Sequence, residues 1–134
     1  MEPPNARHAR QPEAGVGRRL RLRVASGAWG RLRGLLGRRR PLGLRSGLLL
    51  HPCRAVHSGA MAYPIAVWFI GPDGDVLRAG RLPPWRWMSC PQAVAVVETH
   101  EDLLAGGRHA RASIETQARR LLGLRQPNRG GAGG

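Results

Sequence analysis

At 134 residues, the chain has room for one domain and no second core. It carries 22 basic residues against 8 acidic ones, giving a net charge of +14 at pH 7, and every basic residue is arginine. Two cysteines, Cys53 and Cys90, form no Cys-x-x-Cys pair and exclude a disulfide framework, so they read as two buried thiols in a reducing cytoplasm.

The arginines come with 19 glycines and 11 prolines, a bias expected of a coding sequence under strong G+C pressure. Most of them therefore read as solvated surface, although the charge itself attracts polyanions over about one Debye length. No apolar run approaches the roughly 20 residues that span a membrane. The opening MEPPNARHARQPEAG has no hydrophobic segment of the kind a secretory signal needs. Residues 1–60 carry only Glu2 and Glu13 as acids and would pass for a mitochondrial transit peptide cleaved near Ser58. Placing them inside the domain makes a cytoplasmic location the first expectation and a mitochondrial one the alternative.

Residues 1–17 are Pro-, Gly- and polar-rich and read as a disordered lead-in. Leu20, Leu22 and Val24 then alternate with arginines, the period of an edge strand with a basic outer face. Ser26 is placed to cap a helix over 27–37, with Ala28, Leu32, Leu35 and Leu36 on its apolar side and Gly37 ending it. A basic loop, Arg38 to Pro41, follows. Leu48-Leu49-Leu50 is a short buried strand stopped by His51-Pro52, and Arg54 to His57 is a second extended piece. Gly59-Ala60-Met61 uses small residues where a backbone passes closely.

Ile65 to Ile70 is β-branched and aromatic, the pattern of a strand apolar on both faces. Gly71-Pro72-Asp73-Gly74 has Pro at the second turn position and Gly where a positive φ is required, so Val76 to Ala79 should return as a hairpin. Leu82-Pro83-Pro84 breaks the sheet. In Trp85-Arg86-Trp87 the arginine can stack on either ring; the step could stack a base or a ring-bearing ligand, but packing across a sheet edge is the first expectation. Ala93 to Val97 is the last strand and ends in Glu98. Thr99 and Asp102 suggest a capping box for one helical turn, Glu101 to Ala105, ended by Gly106-Gly107. Ala110, Ile114, Ala118, Leu121 and Leu122 mark an amphipathic helix with Glu115 and Arg119 paired four apart, closed by Gly123. The tail is Gly-rich linker.

Four segments taken in order, Arg31 to Arg38, Leu48 to Val67, Phe69 to Arg78 and Val96 to Glu98, resemble the bacterial "domain of unknown function 192" family. The shared features are an Arg-x-x-Gly-Leu-Leu-x-Arg helix carrying Gly34 and Leu35, a Val-His-Ser-x-x-Met segment ending at Met61, and Pro-Ile at Pro64. The turn of Asp73 and Gly74 and a strand ending in Glu complete the set. The resemblance covers residues 19–105 and implies a small, mainly β domain with one packed helix and an unassigned activity. The chain departs from the pattern at Ala66, where the family has Asp, and after Glu98, where Thr99-His-Glu-Asp replaces Leu-Glu-x-Pro-Ala-Gly.

The expected architecture is α+β and mainly β, with a hairpin-containing sheet and one packed N-terminal helix. It divides into a lead-in (1–17), the domain (18–106), a C-terminal helix (107–123) and a tail (124–134). His57 is the best polar candidate, as ligand binder or acid–base group, against the plainer reading of a half-buried histidine bonded to a backbone carbonyl. Glu98 would be costly unpaired, so an ion pair with Arg31 or Arg38 is expected. Arg31, Arg33 and Arg38 suit a phosphate or carboxylate, or simply a solvated helix face. Cys53 and His57 have metal-like spacing but no matching second pair, so neither metal nor cofactor is expected. The function expected is a binding or accessory module with a shallow site of Arg31, Arg38, His57 and Glu98, taking an anionic ligand or a protein partner. Its alternatives are purely electrostatic nucleic-acid binding and an enzyme using His57 and Glu98.

Overall fold

The computed structural model describes residues 20–25, 43–58 and 62–128. The expected helix at 27–37 with its Ser26 cap, the basic loop after it and the small-residue step at 59–61 lie outside the described residues. Arg31, Arg33, Arg38, Gly34, Leu35 and Met61 lie outside them as well.

Among the described residues seven strands form two sheets: β1 (Arg21–Ala25), β2 (Ser46–Leu50), β3 (Ala55–His57), β4 (Ile65–Ile70), β5 (Val76–Leu82), β6 (Trp87–Ser89) and β7 (Ala95–Thr99). The main sheet runs β1-β2-β7-β4-β5, with β1 parallel to β2 and every other pair antiparallel. Strands β3 and β6 pair separately as a short antiparallel ribbon. A 3-10 helix (Glu101–Gly106) and helix α1 (Gly107–Leu122) follow the last strand. The domain is therefore mainly β, and among the described residues its packed helix is C-terminal, not N-terminal as the sequence led one to expect.

The main sheet is apolar on both faces because each is covered. One face carries Leu49, Ala66, Trp68, Ile70, Ala95 and Val97 against Ala110, Ile114 and Ala118 of α1. The other carries Leu50, Val67, Phe69 and Val96 against Val56 and Met88 of the ribbon, with Cys90 and Ala93. Strand β4 is buried at all six positions, as its composition predicts.

Polar side chains tie α1 down at both sheet edges. The Gln117 amide takes both backbone partners at β1, accepting from Leu22 N–H and donating to Leu20 C=O. At the hairpin, Glu115 Oε2 accepts from Val76 N–H at 2.8 Å and Arg111 donates to Val76 C=O at 2.8 Å. Arg119 is buried rather than paired with Glu115; it donates to Asp73 C=O and to the Asp75 carboxylate. Gly74 adopts φ +86°, and a Cβ there would collide with the Arg119 side chain, so the turn requires glycine twice over.

One local expectation shifts. Thr99 does not cap the 3-10 helix: it ends β7, fully buried, and its hydroxyl accepts from Trp68 Nε1 at 3.0 Å. The cap is His100, whose Nδ1 accepts from Asp102 N–H. Gly106 ends the 3-10 helix and Gly107 caps it, as predicted, with Gly107 also opening α1, and Gly123 closes α1 in the left-handed conformation as predicted.

Candidate functional site

The β3–β6 ribbon brings one expected residue together with others the sequence had assigned to packing. In its register Val56 faces Met88, and both belong to the core side. The alternation of strand side chains then turns the next pair, His57 and Trp87, outward as cross-strand neighbours, with Cβ atoms about 4.5–5.5 Å apart. His57 is exposed and Trp87 is 64% exposed. Trp85, two residues earlier, is 69% exposed, and Arg86 between them is exposed too. The expected packing of these indoles across a sheet edge does not occur.

This rim is held from beneath by Ser58, which is fully buried. Its hydroxyl accepts from Arg86 N–H at 2.8 Å, and its single hydrogen lies within reach of Pro83 C=O at 2.5 Å and Arg86 C=O at 3.0 Å. The Ser58 backbone donates to Arg86 C=O and accepts from Trp85 N–H. Met88 packs over Gly80, and Arg78 donates to Ser89 C=O, so the ribbon is also fastened to β5. In this fixed turn Trp85 has φ +60° and is the one non-glycine residue with a positive φ among those described. A bulky residue in that region is an outlier, because Cβ crowds the backbone at a cost of roughly 1–2 kcal/mol.

Glu98 lies elsewhere. It sits in the interior of β7, opposite Leu48 on one side and Val67 on the other, on the face that packs against the ribbon. It is 6% exposed, and its Oε2 has no hydrogen-bond partner among the described residues. Burial without compensating donors pushes its carboxyl from 4.5 up to about 7. His57 and Glu98 thus occupy different sheets, one in solvent and the other buried. The arginines expected to pair with Glu98 lie outside the described residues. Pro64 leads into β4, half-buried, and Ala66 is fully buried on the helix side beside Thr99.

At the hairpin turn, Asp73, Asp75, Arg119 and Arg125 line an open cleft of about 380 Å³. Its buried guanidinium is already engaged by the turn. Among the described residues, no group of three or more His, Cys, Asp or Glu side chains is gathered to hold a metal ion. None of the described helices is long and apolar enough to cross a membrane.

This mainly β arrangement can be set beside known proteins. The family model DUF192, described as "Uncharacterized ACR, COG1430", matches residues 9–123. The chain belongs to this family. DUF192 is thus the frame in which the rim and Glu98 have to be understood, and it assigns neither a role. No curated protein matches the chain. The fold is similar to that of a protein of unknown function from Novosphingobium aromaticivorans DSM 12444, with TM-score 0.57 and 21% identity over 65% of this chain and 67% of that one. It is also similar to a putative transcription regulator from Sinorhizobium meliloti 1021, with TM-score 0.55 and 17% identity over 79% and 76% of the two chains. At such identities these likenesses speak to the fold alone.

The rim carried a partial signal in the sequence, the Trp-Arg-Trp step itself. Its exposure carried none, because apolarity argues for burial wherever nothing else is known.

Proposed function

We propose that this DUF192 protein is a binding module that recognises its partner through the ribbon rim of Trp85, Arg86, Trp87 and His57. The observation that carries this reading is the exposed Trp85 held at a positive φ by the buried Ser58. Backbone strain at an exposed aromatic residue serves no packing purpose, and such outliers gather where ligands are clamped. Glycine or asparagine would occupy the position at lower cost. Two large exposed indoles flanking an arginine also have the composition of interaction hot spots.

A thermal-shift screen of the full chain tests the reading. The panel contains phosphate-bearing metabolites, carboxylates, acidic peptides and short nucleic acids, each run on the wild type and on Trp85→Ala/Trp87→Ala. The reading requires at least one ligand whose stabilisation disappears in the double variant; a ligand at a hundred times its Kd contributes about 2.7 kcal/mol. If every stabilising ligand acts equally on both proteins, the rim is not the recognition surface.

A further inference from the structure

We infer that the partner of the rim is single-stranded nucleic acid, whose unstacked bases lie on the Trp85 and Trp87 rings while Arg86 meets the backbone phosphates; this inference rests on the rim being the recognition surface. Three features of the site point to that chemistry. The two indoles are separated by one residue and project from one fixed segment, so they offer two ring faces a short step apart. Arg86 between them is exposed, and so are His57, cross-strand from Trp87, and Arg54 at the start of the same ribbon. Aromatic platforms interleaved with cations are how single strands are bound without sequence reading, because every base has a π face and every linkage a charge.

The chain as a whole favours the same partner. Its net charge of +14 raises the local concentration of any polyanion. Charge alone does not distinguish a strand from heparin or from a duplex, but the indoles do. Paired, stacked bases in a duplex offer their faces to each other, and only a single strand can turn them outward. The expectation of purely electrostatic contact rested on the arginine surface and gave the tryptophans no part, whereas their exposure makes both rings available.

The test is fluorescence anisotropy with labelled twelve-nucleotide probes: oligo(dT), oligo(rU), a duplex, and an abasic strand with the same phosphates and no bases. Full-length protein is titrated at 50 and 200 mM salt. At 200 mM salt the single strands should bind at least about tenfold tighter than the abasic strand, because base stacking survives screening. Trp85→Ala and Trp87→Ala should each weaken binding by roughly 5- to 100-fold. Trp87→Phe, which keeps a ring, should retain most of it. Arg86→Ala should lower the salt slope by about one. Equal affinity for the abasic strand, or binding that ignores both tryptophans, would overturn the inference and leave only a generic arginine surface. If a different ligand in the thermal-shift panel depends on Trp85 and Trp87 while oligo(dT) does not, the module stands and the nucleic-acid assignment falls. If nothing in either experiment depends on them, both fall.

Discussion

Burial of Glu98 makes a prediction about stability that separates two views of the residue by sign. Its carboxyl is pushed from 4.5 to about 7 by loss of water, with no donor among the described residues reaching Oε2. The folded chain therefore holds a proton that the unfolded chain has released, and stability falls as pH rises. The loss begins above pH 4.5 and is complete above about pH 7. At about 1.36 kcal/mol per pH unit it reaches about 3 kcal/mol, or roughly 10 °C in Tm for a domain of this size. Glu98→Gln keeps the shape and removes the ionisation. Urea denaturation of both proteins at pH 5 and pH 8 isolates the effect, because all other titrating groups cancel in the difference. The variant should be near the wild type at pH 5 and more stable by about 2–3 kcal/mol at pH 8. A carboxylate paired with an arginine would have its pKa lowered, so the wild type would gain on the variant as pH rises. That result would refute the reasoning and restore the ion pair suggested by the sequence.

Further substitutions test the rim and the hairpin. Trp85→Gly removes the left-handed strain of roughly 1–2 kcal/mol and adds the chain entropy of glycine, about 0.5–1 kcal/mol. Its Tm should be equal to or slightly above that of the wild type while ligand binding falls, a separation that a purely structural tryptophan would not give. Ser58→Ala deletes the buried hydroxyl on which Arg86 N–H depends and should cost about 1–3 kcal/mol by urea denaturation. Gly74→Ala forces a Cβ into a φ of +86° and into Arg119, so unfolding should become easier by at least about 1 kcal/mol.

Much of the fold was legible because the relevant signals are local. Pro72, Asp73 and Gly74 specify a turn by their own backbone preferences, and Gly71 N–H duly bonds to Asp75 C=O across it. Strand β4 announces itself as a continuous apolar run, and Gly123 closes α1 for want of a Cβ. What the sequence concealed depends on distant contacts. Thr99 reads as a helix cap until Trp68, 31 positions away, donates to its hydroxyl. Arg119 reads as a surface charge and is buried, because a turn 44 residues earlier supplies its acceptors, while Leu121 on the expected apolar face is exposed. Strand β6 has three residues, too few to show a period, and so it was missed. The unread strand also hid the pairing of Trp87 with His57, which keeps His57 in the candidate site and leaves Glu98 apart from it.

The most direct test of the rim as a recognition surface is acrylamide quenching of tryptophan fluorescence, with and without saturating oligo(dT). Trp29 lies outside the described residues and is common to both proteins compared, Trp68 is 3% exposed and shielded in either case, and Trp85 and Trp87 stand in solvent. The account predicts that the strand protects these two, with a marked fall in the quenching constant that is absent in Trp85→Phe/Trp87→Phe after correction for its missing indoles. Unchanged quenching at a strand concentration where anisotropy reports full binding would contradict it, and would locate the contact among the arginines alone.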